Sequence, residues 1–95
     1  MKIKYSPESI GDLQRLVEFV ENKNPYAARR IAIDLQEGVE KLKNFPHIGL
    51  PVLNATDPEQ LRDLYLGDYT ARYLITDEVI YILRIWHGNE NEKNL

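Results

Sequence analysis

The stretch LRDLYLGDYTARYLITDEVIYILRIWH, residues 61–87, decides the fold. Three runs of strand-forming residues, Leu61 to Leu66, Tyr69 to Thr76 and Val79 to His87, are separated by only Gly67-Asp68 and Asp77-Glu78. Links this short between β-rich runs are hairpin turns, so the stretch predicts a three-stranded antiparallel meander. Its last run is almost wholly apolar or aromatic, as expected of a central strand covered on both faces. If Asp77-Glu78 is a two-residue turn, Thr76 lies opposite Val79. Counting outward then sets Arg72 opposite Leu83 and Ala71 opposite Arg84. On that register Arg72 and His87 share one face. The other face carries Ala71, Tyr73, Ile75, Ile80, Ile82, Arg84 and Trp86, the more continuous apolar set and the expected helix-facing side. Arg84 then needs a buried partner or an exit at the sheet edge. One extra residue in the loop reverses the facing of one strand relative to the other.

Upstream, Lys2 to Tyr5 alternates polar and apolar side chains and reads as a short opening strand, with Ile3 and Tyr5 on one face. Ser6-Pro7 is a helix start: the hydroxyl accepts an orphan N–H, and proline fits the first helical position. Ile10, Leu13, Leu16, Val17 and Val20 follow at helical spacing, and the pattern should stop at Asn22 to Asn24, before Pro25. Asn24-Pro25 repeats the start, and Ala28, Ile31, Ala32, Leu35, Val39 and Leu42 carry a second helix to about Phe45. The short link forces an antiparallel helical hairpin. Gly38 weakens the second helix by about 1 kcal/mol relative to alanine, which points to close packing there. Pro46, Gly49, Pro51 and Pro58 mark residues 46–60 as an irregular connection. The segment from Gly88 to Leu95 is polar and expected to be loosely held.

The chain has 95 residues, 43% hydrophobic and 28% charged, which suits one folded domain over residues 1–95 with a single core. With no cysteine, a disulfide framework, a Cys-ligated zinc site and a thiol nucleophile are excluded. The net charge is −3. Residues 1–45 hold eight Lys or Arg against seven Asp or Glu, and residues 46–95 hold four against eight. An acidic chain is poorly suited to track a phosphate backbone, so no direct sequence-specific DNA binding is expected of it alone. No apolar run approaches the length of a membrane span, and the expected location is the cytoplasm. His47 and His87 are the only histidines and lie in no His-x-x-x-His arrangement, so neither a metal nor another cofactor is expected.

The order strand, helix, helix, three strands, together with four short pieces, resembles the RelE/ParE toxin superfamily of bacterial type II toxin–antitoxin systems, closest to its ParE branch. The pieces are Ser-Pro-Glu at Ser6 to Glu8, Asn-Pro-Tyr-Ala-Ala at Asn24 to Ala28, Phe-Pro-His-Ile-Gly at Phe45 to Gly49, and the run from Ile82 to Gly88. The resemblance implies an α+β fold: an N-terminal strand, an antiparallel helical hairpin, then an antiparallel meander forming a twisted sheet packed on the helices. It also implies a ParD-like antitoxin whose C-terminal segment wraps the toxin, which would explain the apolar last strand.

Two mechanisms occur in the superfamily, mRNA cleavage in the ribosomal A site and non-catalytic inhibition of DNA gyrase. Cleavage needs a base for the 2′-OH, cations for the phosphorane and an acid for the leaving oxygen. In the nuclease branch an Arg commonly follows the aromatic that opens the penultimate strand, and here Thr70 follows Tyr69. A second Arg often lies beyond the last strand, where this chain has Asn89, and the lysine-rich central segment is replaced by residues 54–59. His87 does match a His near some nuclease sites. The expected function is therefore a ParE-like gyrase inhibitor, with no favoured catalytic residue. The alternatives are a ribosome-dependent endonuclease using Arg72 and His87, or a non-toxic relic that still binds antitoxin. Tyr69, Arg72, Trp86 and His87 are the expected partner-binding residues. Each also has a plainer reading: Arg72 as an ion-paired arginine, His87 as a strand-end histidine with a satisfied hydrogen bond, Trp86 as core. Arg84 is expected to tie the sheet to a helix carboxylate.

Overall fold

Both helices begin where a capping side chain precedes a proline. Ser6 Oγ accepts the Ser9 N–H at 3.0 Å and opens α1 (Pro7–Glu21); Asn24 Oδ1 accepts the Ala27 N–H at 3.1 Å and opens α2 (Pro25–Glu40). A 3₁₀ turn at Lys41–Lys43 finishes the second helix. The computed structural model describes residues 1–90, and in it the strands are β1 (Lys2–Tyr5), β2 (Leu50–Pro51), β3 (Leu61–Leu66), β4 (Tyr69–Ile75) and β5 (Val79–His87). They form one sheet in the order β1-β5-β4-β3-β2, with β1 parallel to β5 and the other pairs antiparallel. The meander is as expected, at both turns. Gly67, at φ +62°, takes the first corner of the β3–β4 turn, where a side chain would be strained.

Both helices lie on one face of the sheet. Leu16, Leu35 and Val39 pack with Leu64, Ala71, Tyr73, Ile75, Ile80, Ile82 and Ile85 in one core. Gly38 is the point of closest approach, as its place in the helix suggested: a Cβ there would stand 2.4 Å from a Leu66 methyl carbon. The last strand differs from expectation. It is second in the order, beside β1, and its outward residues Tyr81 and Leu83 are only half-buried.

The register also differs, at one residue. Thr76 does lie against Val79, and Ile75, Leu74 and Tyr73 pair with Ile80, Tyr81 and Ile82 as counted. Leu83 then bulges out of the ladder, so Arg72 pairs with Arg84 and not with Leu83, and Ala71 pairs with Ile85 and not with Arg84. A bulge inserts one residue, and because side chains alternate, every later side chain of β5 changes face. Ile85 enters the core and Trp86 leaves it. Arg72 and His87 consequently lie on opposite faces, and the placement of Trp86 against the helices is corrected.

Asp12 is the reason the bulge is tolerated. β1 ends at Tyr5, so the edge of β5 beyond Ile82 has no strand beside it. Ser6 Oγ donates to the Leu83 carbonyl at 2.8 Å, and Asp12 Oδ2 accepts the Ile85 N–H at 2.9 Å. The same carboxylate receives Arg84 through two bonds of 2.8 and 2.9 Å, the fork geometry that arginine suits best. This is the helix carboxylate expected for Arg84. The buried residues of α1 are accordingly Ser9, Asp12 and Leu16, while Ile10, expected in the apolar stripe, is exposed. The helix is rotated so that its polar side chains meet the open strand edge.

The connection at residues 46–60 is irregular but strapped, and it contains the short β2 that the proline pattern hid. The Tyr73 hydroxyl, fully buried, donates to the Pro46 carbonyl at 2.7 Å and accepts the Gly49 N–H at 3.0 Å. Arg62 donates to the carbonyls of Gly49 and Glu59 at 2.7 and 2.8 Å. The segment from Gly88 is also better held than expected within the described residues, since the Gly88 N–H donates to the Asp68 carbonyl at 2.7 Å. Residues 91–95 of that segment lie outside the described residues.

Burial pushes the Asp12 carboxyl up, but bonds from Arg84 and the Ile85 N–H, with the charges of Arg84 and Arg15, hold it net below the usual carboxylate range. A carboxylate lowered on folding stabilises the fold above its ordinary pKa of about 3.9, and that stability is lost as pH falls through the lower folded value. Asp12→Asn should cost about 3 kcal/mol near neutral pH, because it leaves Arg84 without its counter-ion. In urea unfolding the gap between the native protein and the variant should narrow as pH drops from about 5 toward 2. A gap that does not change with pH would mean that Asp12 is not the titrating partner. Tyr73→Phe should separately cost about 1–3 kcal/mol by orphaning the Gly49 N–H and the Pro46 carbonyl. Faster proteolysis within residues 46–60 should accompany it.

Candidate functional site: two faces at one end of the sheet

The four expected partner-binding residues fall into two pairs. On the face away from the helices, the Arg72 guanidinium carbon stands 5.2 Å from the centre of the Trp86 ring, a cation–π distance. Arg72 also pairs in two-pronged fashion with Asp63 on β3, Nε to Oδ1 at 2.8 Å and Nη2 to Oδ2 at 2.9 Å. All three side chains are largely buried, with Arg72 only 5% exposed. Around them Leu61, Leu74, Tyr81 and Leu83 are half-buried and Tyr65 is 58% exposed. Over β3, β4 and β5 this face is largely apolar and aromatic, with Arg72 and Asp63 paired beneath, while Lys2 and Lys4 of β1 stand exposed at its edge.

On the helix face, Tyr69 and His87 meet edge-on, ring centres 5.1 Å apart at 83°. His87 Nδ1 accepts the Asn89 N–H at 3.0 Å. The pair borders a cavity of about 570 Å³ against α1, whose other walls include Leu16, Phe19 and Val20. Phe19 is 67% exposed and carries Lys23 over its ring at 4.8 Å. Arg15, on the rim, is bonded to Glu90 and so ties α1 to the turn after β5. Burial pushes the Tyr69 hydroxyl up, and the nearby charges of Asp68 and Glu90 add to the effect. Among the described residues no three His, Asp or Glu side chains are grouped to hold a metal ion. No helix among them is long and apolar enough to cross a membrane.

Chemically, the structure does not bring Arg72 and His87 to one reacting point. Thr70, at the position where nucleases of the resembled class carry an arginine, is buried on the outer face opposite Trp86. Two residues central to these pairs went unnamed in the sequence reading. Asp63 was within reach of it, since the two-residue turn at Gly67-Asp68 sets Leu66 opposite Tyr69 and Asp63 opposite Arg72. Phe19 was less accessible, because it lies outside the apolar stripe of α1 and gains meaning only from the cavity beside it.

The chain is thus a helical hairpin laid on one face of an open mixed sheet, an α+β arrangement with a buried Arg–Asp pair on the opposite face. The sequence matches the family described as ParE toxin of type II toxin–antitoxin system, parDE, over residues 3–92, and the chain belongs to that family. It is a type II toxin, a protein whose system includes an antitoxin. Toxin RelE2 of Caulobacter vibrioides is 28% identical over 88 residues, covering 92% of this chain and 94% of that protein. Toxin RelE1 of the same organism is 29% identical over 79 residues, 83% of this chain and 84% of its own length. The fold matches that of a chain from the chromosomal ParDE system of P. aeruginosa, with a TM-score of 0.76 at 23% identity over 92% of this chain and 95% of that one.

Because Arg72 neutralises a buried Asp63, Arg72→Ala should cost about 3 kcal/mol of stability. Replacing the pair together, with Arg72→Met and Asp63→Leu, should recover most of it. Unfolding of Arg72→Met, Asp63→Leu and the double variant in urea checks this. If the double variant is as unstable as the sum of the singles, the two side chains are not energetically coupled.

Proposed function

We propose that this type II toxin is a cytoplasmic, ParE-like inhibitor of DNA gyrase that acts by binding and not by catalysis. We further propose that a ParD-like antitoxin neutralises it. The observation that carries the reading is the separation of Arg72 from His87. A ribonuclease needs a base, an acid and a cation converging on one phosphate, and the two candidates for those roles stand on opposite faces of the sheet. Arg72, moreover, already serves a buried carboxylate. The acidic balance of residues 46–95 adds support, since a ribosome-bound nuclease works inside a field of RNA phosphates.

The same geometry supports a reading of where antitoxin binds. Tyr69, Arg72, Trp86 and His87 all stand near the end of the β4–β5 pair, where Tyr69 lies opposite His87 and Thr70 opposite Trp86. A partner that contacts all four must therefore pass around that end. The half-buried outer face, with Tyr65, Leu74, Tyr81 and Leu83, offers such a partner apolar area and aromatic anchors.

The test is to induce the toxin without antitoxin and follow incorporation of labelled thymidine and labelled methionine over the first minutes. Thymidine incorporation should fall first, accompanied by gyrase-linked DNA breaks. If methionine incorporation falls first, translation is the target and the gyrase reading is wrong. Unimpaired growth would instead identify a chain that has kept antitoxin binding and lost toxicity.

A further inference from the structure

A second groove, sharing only Tyr69 with the residue pairs above, lies between the C-terminal half of α2 and the β3–β4 turn, with a volume of about 420 Å³. Its floor is apolar: Ile31, Leu66 and Tyr69 are half-buried there and Leu35 is buried. Its rim holds three carboxylates, Asp34, Glu37 and Asp68, against one ammonium, Lys41. Asp34 is partly answered by Arg30 at 3.5 Å, but among the described residues neither Glu37 nor Asp68 is in an ion pair. Resting on the antitoxin reading above, we infer that this groove receives a basic, amphipathic segment of the antitoxin, with an aliphatic side chain on the floor and Lys or Arg over Glu37 and Asp68.

Charge selects the occupant. The C-terminal end of a helix carries a partial negative charge, and acidic side chains there are unfavourable unless a cation answers them. α2 places Glu37 and Glu40 in this region, where the cations at hand are Lys41 and Lys43 of the 3₁₀ turn that finishes it. Glu40 is answered from outside the helix by Lys43 at 2.7 Å. Glu37 is left for a partner. Nucleic acid would bring phosphates against the three carboxylates, and a second copy of this chain would bring a net charge of −3. A cationic peptide meets the rim with complementary charge, and its apolar side chains gain the floor. Gly38 also lets α2 lie close against Leu66 at the floor, where a Cβ would stand 2.4 Å from a methyl carbon.

The experiment uses the full-length toxin–antitoxin complex. Affinity is measured at low and high salt for the native toxin, for a Glu37→Lys/Asp68→Lys variant, and for a Glu18→Lys/Glu21→Lys variant that makes the same change in net charge on exposed positions of α1. Native binding should weaken with salt. The groove variant should bind at least about tenfold more weakly at low salt and lose most of its salt dependence, while the α1 variant should bind as the native toxin does. If the lysines prevent folding, Glu37→Gln/Asp68→Asn should still flatten the salt dependence. Native affinity and slope in the groove variant would overturn the inference, as would an equal loss in the α1 variant, which would reveal a long-range charge effect. Failure of the native toxin to bind antitoxin at all would instead bring down the antitoxin reading, and this inference with it.

Discussion

On the edge away from β4, the Ile85 N–H of β5 is held by a single carboxylate, that of Asp12. β1 stops at Tyr5, and beyond that point the strand would present an unpaired N–H at Ile85 to a buried edge. Such a group costs about 1–3 kcal/mol if left without an acceptor. Asp12 supplies the acceptor through Oδ2 and fixes Arg84 through both oxygens. Much else follows from this one contact. It rotates α1 so that Ser9, Asp12 and Leu16 face inward, it secures the strand just past the bulge at Leu83, and it accompanies the turning of Trp86 to the outer face beside Arg72. Among the described residues no buried side-chain nitrogen or oxygen lacks a hydrogen-bond partner, which is what a core this small requires.

The elements were legible in the sequence because their signals are local. Ser6-Pro7 and Asn24-Pro25 act through one side-chain oxygen and one missing N–H, and Gly67-Asp68 acts through a single positive φ angle. The bulge at Leu83 was not legible in the same way, since no residue in ILRIW is needed to form it. A trace does exist. The buried isoleucines of β5 are Ile80, Ile82 and Ile85, a spacing of two and then three, which no regular strand can place on one face. Reading the strand as regular put Arg84 and Trp86 into the core, and the demand that Arg84 find a buried partner was the warning that the period had slipped.

The candidate site was legible to a lesser degree, and for the same reason. Tyr69, Arg72, Trp86 and His87 could be picked out by residue type and by their place near the strand ends, yet which of them act together depends on facing, and facing depends on the bulge. Residues 46–60 show the converse. Their three prolines and Gly49 suggested an irregular connection, but Tyr73 and Arg62 reach from the sheet to carbonyl and amide groups along it. Those contacts are distant in sequence, 24 residues apart for Gly49 and Tyr73, and composition carries no record of them.

The pairing of β1 with β5 joins Lys2–Tyr5 to Val79–Ile82, and Ser6 to Leu83 across 77 residues. Contacts so remote along the chain close late, because the intervening segment must first be ordered. During synthesis the first strand leaves the ribosome long before its neighbour exists. The sheet cannot acquire its β1 edge, nor α1 its seat on Ile85, until β5 has been made. A nascent chain halted anywhere before that strand therefore lacks the outer strand pairing at β1 and the inner seat of α1 together, so the two faces of the sheet at this end are completed by the same nine residues.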